Sequence, residues 1–226
     1  MSRRVVCLIA AAAMMAAATA GAEWRTSANV GFASEYVFRG VSQSDEEPAL
    51  QGGFDFEHDA GLYAGLWGSS VDFNDGDEAS IEADLYAGYA AEWRGLGYDV
   101  GAIYYAYPGA SSRLDYDFFE VYGKLSYELK PVTLSGGVFL SPEFFGNTGN
   151  AEYYFAAVEW PLLERISLTA HIGRQNIDDA DSYTDWKLAV AAEYAGFSAE
   201  LAYHDTNLDD SKLADERVVL AVSRRF

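Results

Sequence analysis

The chain of 226 residues carries 35 Asp and Glu against 15 Lys and Arg, a formal charge of −20; half of it is hydrophobic and 15% is aromatic. Such a charge argues against nucleic acid and against anionic headgroups as partners, because both attract basic patches. The apolar and aromatic content excludes a disordered chain.

Residues 1–22 read as a secretory signal peptide: “MSRR” is a basic head, “VVCLIAAAAMMAAATA” an apolar run, and “AGA” a small-residue cleavage pattern ending at Ala22. The run is too short and too Ala-rich for a membrane anchor. Cleavage would remove Cys7, the single cysteine, and leave 23–226 as one domain without thiol or disulfide.

From residue 23 onward no stretch approaches the roughly 18 apolar residues of a membrane helix, and a period of two recurs instead. We read twelve such segments of about 9–13 residues, the reach of a tilted membrane-spanning strand. The first carries Glu35, Tyr36 and Phe38 and ends at Arg39, ahead of the polar “SQSDEE”. Residues 54–73, “FDFEHDAGLYAGLWGSSVDF”, are two strands about a tight turn. The second of these leaves open whether Leu62, Ala64 and Leu66 or Tyr63 and Trp67 face outward, and Gly65 and Gly68 point to a bulge or close packing. “SIEADLYAGYAAEW” is the clearest strand. Ile81, Ala83, Leu85, Ala87, Tyr89, Ala91 and Trp93 share one face, and Glu82, Asp84, Tyr86, Gly88, Ala90 and Glu92 share the other. “FEVYGKLSYEL” and “DWKLAVAAEY” split in the same way. One face suits lipid, the other water.

The connections alternate in kind. “HDAG”, “RGLG”, “LKP”, “PLLER” and “YAG” are tight, whereas the six that alternate with them are longer and polar. Outer-membrane barrels have short periplasmic turns and longer external loops; a soluble sandwich has no reason to sort its loops by parity. Aromatics near strand ends, among them Trp24, Tyr36, Phe38, Trp93, Trp160 and Tyr194, fit interfacial girdles, although aromatics favour strands in general. The chain closes on “ERVVLAVSRRF”, and a last strand ending in Phe226 resembles the signature by which bacterial barrels meet the insertion machinery.

Ser34–Phe73 is similar to the amino-terminal block of the TorF-type porins of proteobacteria, with Tyr36, Arg39, Gly40, Ser42, Pro48, Gln51, Gly52, Gly53 and “GLYAGLWGS” in matching places. The block covers about a fifth of residues 23–226. The resemblance implies an outer-membrane barrel acting as a channel. It supplies no substrate and no catalytic residue.

The polar faces collect acids. Glu35, Asp55, Glu57, Glu82, Asp84, Glu120, Lys124 and Glu200 are the candidate pore-lining residues, with Glu92, Asp99, Glu128, Glu159 and Glu193 further acids; the remaining bases are chiefly Arg25, Lys187 and Arg217. Carboxylate rings concentrate cations and exclude anions, so a cation-preferring pore is expected. The alternative is that these acids are paired in a plugged interior. Arg39 is the candidate to fold inward onto a carboxylate and pin the first loop as a constriction, or else it is a solvated loop arginine. Of the three histidines, His58 falls at a turn, His171 in mid-strand, and His204 near Asp205 and Asp209. That last group is the best candidate for a rim hydrolase, but no nucleophile signature accompanies it. The acidic loops match no calcium-binding spacing, and no metal or cofactor is expected. The expectation is therefore an antiparallel up-and-down outer-membrane β-barrel of about 12 strands for passive diffusion of small solutes, with lipid and lipopolysaccharide as neighbours. A closed structural or adhesive barrel working through its loops stands as the alternative.

Overall fold

The structure is a computed structural model and describes residues 23–226 except 75, 77, 78 and 210. The signal peptide and Cys7 lie outside the described residues. Wherever apolar and polar residues alternate, the chain is extended: β1 (Trp24–Ala33), β4 (Ala49–His58), β5 (Leu62–Ser70), β6 (Ile81–Trp93), β7 (Leu96–Ala106), β8 (Phe118–Leu129), β9 (Val132–Ser141), β10 (Ala151–Leu163), β11 (Ile166–Ile177), β12 (Tyr183–Tyr194), β13 (Phe197–Thr206) and β14 (Arg217–Arg225). Between β1 and β4 lie the short strands β2 (Val37–Phe38) and β3 (Val41–Ser42). Among the described residues the twelve long strands pair antiparallel with their neighbours, and β14 closes on β1 from Asn29↔Arg225 to Ala33↔Ala221. The result is a closed antiparallel barrel, as the alternation predicts.

Loop parity holds throughout. The five short turns fall at 59–61, 94–95, 130–131, 164–165 and 195–196, and the six longer connections gather at the other end. Arg94–Gly95 and Ala195–Gly196 both hold positive φ at each position, 54° and 83° in the first, 51° and 83° in the second. This mirror-image turn suits the right-handed twist of paired strands, and glycine at the second position keeps it unstrained.

The two faces separate cleanly. On β6, Ile81, Leu85, Tyr89 and Trp93 are exposed on the outside, while Glu82 and Asp84 are buried inside. On β5, Leu62 and Leu66 are exposed outward, whereas Trp67 turns in against Tyr36, with ring centroids 5.4 Å apart. Tyr63 also turns inward, which decides the facing that the sequence left open. Gly65 is where the ring of Tyr86 lies over the neighbouring strand: a Cβ there would stand 2.3 Å from the ring tip. Close packing, not a bulge, explains this glycine.

The apolar residues that would form a soluble core sit instead on the outer wall. The buried hydrophobic cluster lies inside, at the loop end, around Tyr36, Ala49, Tyr105, Tyr107 and Phe118. Loop aromatics cap it, with Tyr116 stacked on Phe145 at 4.2 Å and Phe73 edge-on to Tyr107 and Phe145 at 5.7 and 5.3 Å. Tyr36 and Phe38 correct the girdle expectation. β1 ends at Ala33, and the chain then folds inward, so Tyr36 is buried in this cluster and Phe38 packs against it.

Candidate functional site

Residues 34–48 do not stay outside with the other loops. β2 and β3 pair as Val37↔Ser42 and Phe38↔Val41, leaving Arg39 and Gly40 as a two-residue tip. Their φ values, 48° and 83°, match those of the Arg94–Gly95 turn. Gly40 presses on the wall at β12 and β13, where a Cβ would meet Thr206 Cγ2 at 2.4 Å and Asp185 Cβ at 2.8 Å. Only a glycine fits there.

Arg39 fastens the tip. Its guanidinium donates two parallel bonds to Glu120, Nη1 to Oε1 at 2.9 Å and Nη2 to Oε2 at 2.6 Å, and a third to Gln175 Oε1 at 2.8 Å. The same group lies over the rings of Tyr153 at 4.3 Å, Phe38 at 4.6 Å and Phe139 at 5.1 Å. The planar fork of arginine matches a carboxylate and stacks on aromatic faces, which lysine cannot do. Tyr105 Oη adds a bond to Glu120 Oε2 at 3.1 Å. Two more ion pairs hold the flanks of the hairpin: Glu35 with Arg217 inside, and Glu46 with Lys212 at 2.7 Å on the surface. The ammonium of Lys212 holds the Glu46 carboxyl below its ordinary value, and Glu46 in turn raises Lys212. Ser44 completes the fold-back, accepting the Tyr36 backbone N–H at 3.0 Å and donating to the Glu47 carbonyl at 2.7 Å.

The hairpin divides the interior into two zones. Beneath it, at the loop end, Glu82 and Glu120 are only 1% exposed and Gln175 is fully buried. Tyr36 Oη donates to Glu82 Oε1 at 3.0 Å, while Glu82 Oε2 and Asp84 Oδ1 have no hydrogen-bond partner among the described residues. Toward the turns the inward side chains are wetter: Asp99 and Lys124, paired at 2.7 Å, are each 18% exposed. Lys187 pairs with Glu200 at 3.0 Å, and Arg225 with Glu57 at 3.2 Å. Tyr86 and Ser27 donate to Asp55, and Tyr63 links Asp99 to Tyr122.

A bacterial family described as “Bacterial protein of unknown function (Gcw_chp)” matches residues 17–226. The chain belongs to this family. Solved structures of similar shape include a KdgM porin, with a TM-score of 0.62 at 7% identity, covering 88% of this chain and 99% of that one. A KdgM porin in complex with disordered oligogalacturonate gives 0.63 at 7% identity, with the same coverage. A NanC porin gives 0.58 at 9% identity, covering 88% and 98%. At such identities the likeness is one of fold. Comparison with curated proteins gives no match.

In this Gcw_chp barrel the eight lining candidates all face the interior, but in two environments. Glu35, Glu82, Asp84 and Glu120 are buried around the hairpin, while Asp55, Glu57, Lys124 and Glu200 are partly exposed toward the turns. The sequence did not single out Gln175, Phe139 or Tyr153, partners of Arg39, nor Tyr105, which bonds Glu120, nor Arg225, which turns inward to Glu57. Their inward parity was readable, but the depth of the hairpin tip was not. His171 Nε2 meets Tyr153 Oη at 2.8 Å, beside Asp185. His204 faces inward, in register with Lys187 and Arg217, while Asp205 accepts from Tyr203 Oη and the Thr206 N–H. The structure therefore does not bring His204 and Asp205 together as a pair. Among the described residues no group of three or more His, Cys, Asp or Glu side chains is arranged to hold a metal ion.

Proposed function

We propose that this chain is a porin-like channel of the bacterial outer membrane, passing small hydrophilic solutes and preferring cations. One observation carries the reading: a closed barrel exposes large apolar side chains around its outer wall and keeps its ionisable groups inside. So much exposed apolar surface exceeds what a soluble monomer tolerates and demands lipid. The solved barrels of similar shape are porins by name, and the likeness of Ser34–Phe73 to TorF-type porins points the same way. By analogy with outer-membrane barrels, whose short turns are periplasmic, the short turns are taken as the periplasmic end. An export signal within residues 1–22 and an insertion element in β14 belong to the same proposal. The chemistry is diffusive, with no catalytic residue in the account.

Cation preference rests on the inward acids that outnumber the inward bases. In the wet zone Asp55 and Glu57 lie where a solute entering from the turn end passes first. The hairpin of residues 34–48, held by Arg39, is the constriction. The packing beneath it also favours a second reading, a closed barrel working through its loops. The two part on one experiment, the reversal potential of the refolded protein in a planar bilayer under a KCl gradient. A potential on the cation side supports the channel. An anion-side potential contradicts the selectivity, and absence of current from an inserted barrel favours the closed reading.

A further inference from the structure

The net charge of −20 is unevenly spread. The loops carry clusters such as Asp115 and Asp117, or Asp178, Asp179 and Asp181, with Arg113 and Lys212 as bases among them, whereas the turn end is mixed: Arg94, Lys130 and Arg165 lie in three of the five turns, and Asp59, Glu92, Glu128 and Glu164 stand in or beside turns. Arg224, near the end of β14, stands at the same rim, and all four rim bases are exposed. Most other bases point inward onto acids, as Lys124, Lys187, Arg217 and Arg225 do. Sequence composition alone, which argued against anionic partners, averages over this arrangement.

The rim bases are not loose. Arg94 lies over Trp93 at 4.8 Å, Arg165 over Tyr194 at 5.7 Å, and Arg224 over both Phe197 and Phe226 at 5.0 Å. Those rings point away from the barrel: Tyr194 is 74% exposed, Phe226 68% and Trp93 63%. Because β11, β12, β13 and β14 are consecutive neighbours, Arg165 and Arg224 flank the Tyr194–Phe197 turn along a continuous stretch of rim. Lys130 is the weakest member, since Glu128 stands 4.0 Å away, and Glu164 adjoins Arg165.

We propose that this rim is a docking arc for the phosphate headgroups of anionic phospholipids in the leaflet at the turn end. The proposal rests on the membrane reading above. Aromatic rings settle at the boundary between acyl chains and headgroups. A guanidinium held on a ring face is thereby fixed at phosphate depth, with its N–H edge available for bidentate bonding. The acidic loops repel the same phosphates, so the preference belongs to one end of the barrel and helps to orient it.

Tryptophan quenching tests this in vesicles containing either brominated phosphatidylcholine or brominated phosphatidylglycerol, where the ratio of quenching gives the relative association of the two headgroups. The wild-type chain is expected to favour phosphatidylglycerol about fivefold or more at low ionic strength, with the ratio shrinking in about 0.5 M salt. The R94Q/R165Q/R224Q variant is expected to bring the ratio close to one, and the loop-end control K212Q to leave it unchanged. Equal quenching by both lipids in the wild type overturns the arc and leaves the membrane barrel standing. Quenching by neither, with strand content intact, overturns the membrane reading itself. Should the triple variant not refold, the salt titration of the wild type decides, and a salt-independent preference overturns the arc.

Discussion

Removing the Arg39 side chain tests the inward hairpin directly. Arg39→Ala deletes two bonds to Glu120 and one to Gln175, and it leaves the Glu120 carboxylate, 1% exposed, without its cation and with the bond from Tyr105 Oη still in place. Breaking a buried ion pair on one side costs about 3–5 kcal/mol, because the remaining charge stays unpaired. The hairpin has a way to relieve that cost: it can leave, admitting water to Glu120. The expected loss of stability is therefore at the lower end, about 3 kcal/mol, together with a larger conductance. Both can be read on one preparation, from the thermal midpoint in detergent and from single-channel steps in a bilayer. Trp67, packed on Tyr36 of the hairpin at 5.4 Å, reports departure through its emission, with Trp67→Phe as the control. The double variant R39A/E120Q removes the buried charge as well and should recover part of the lost stability without closing the channel. An R39A protein with wild-type midpoint and wild-type conductance would refute the reasoning.

Three further outcomes follow from the same geometry. D55N/E57Q should move the reversal potential under a KCl gradient toward zero, whereas E82Q/D84N, buried beneath the hairpin, should change it little unless R39A is also present; equal shifts from both pairs would contradict the two zones. Gly88→Val would set a Cβ 2.2 Å from Tyr63 Oη and 2.6 Å from the Val100 carbonyl, an overpacking of about 1–3 kcal/mol visible in the urea midpoint, while Gly123→Ala, with open space around it, should be neutral. The Glu46–Lys212 contact should protect the outer strand of the hairpin from hydrogen exchange at neutral pH. Glu46 is lowered when folded, so its contribution is present above its unfolded value and is lost as pH falls through its lowered folded one. Lys212 is raised, so its contribution is present below its unfolded value and is lost only as pH rises through its raised folded one. Protection that is unchanged between pH 3 and 7 would count against the pair.

Much of the barrel was readable because a strand with one lipid-facing and one inward side must alternate, and β6 does so from Ile81 to Trp93 without interruption. Turn parity was equally open, since Arg94–Gly95 and Ala195–Gly196 announce two-residue turns. β5 resisted because both of its faces carry large apolar residues, and the inward contacts of Trp67 with Tyr36 and of Tyr63 with Asp99 and Tyr122 separate them. The hairpin escaped for a different reason. β2 and β3 are two residues each, too short for any period to register, so Tyr36 and Phe38 read as the outer end of β1. Yet Arg39–Gly40 is the same dipeptide as the Arg94–Gly95 turn, with the same signs of φ, and Val37, Phe38 and Val41 flank it as strand formers. That was the available signal. What no local pattern could supply was the partner. Glu120 is 81 residues away and Gln175 is 136 residues away, and only the closed register brings them beneath the tip.

The central claim is that solute passes through this barrel along an interior narrowed by the hairpin of residues 34–48. The most direct test is single-channel recording of the refolded wild-type protein in a planar bilayer, with insertion established independently by its resistance to protease. Stable, small, uniform current steps are the predicted result. A protease-protected barrel that stays silent over many insertions would contradict the account.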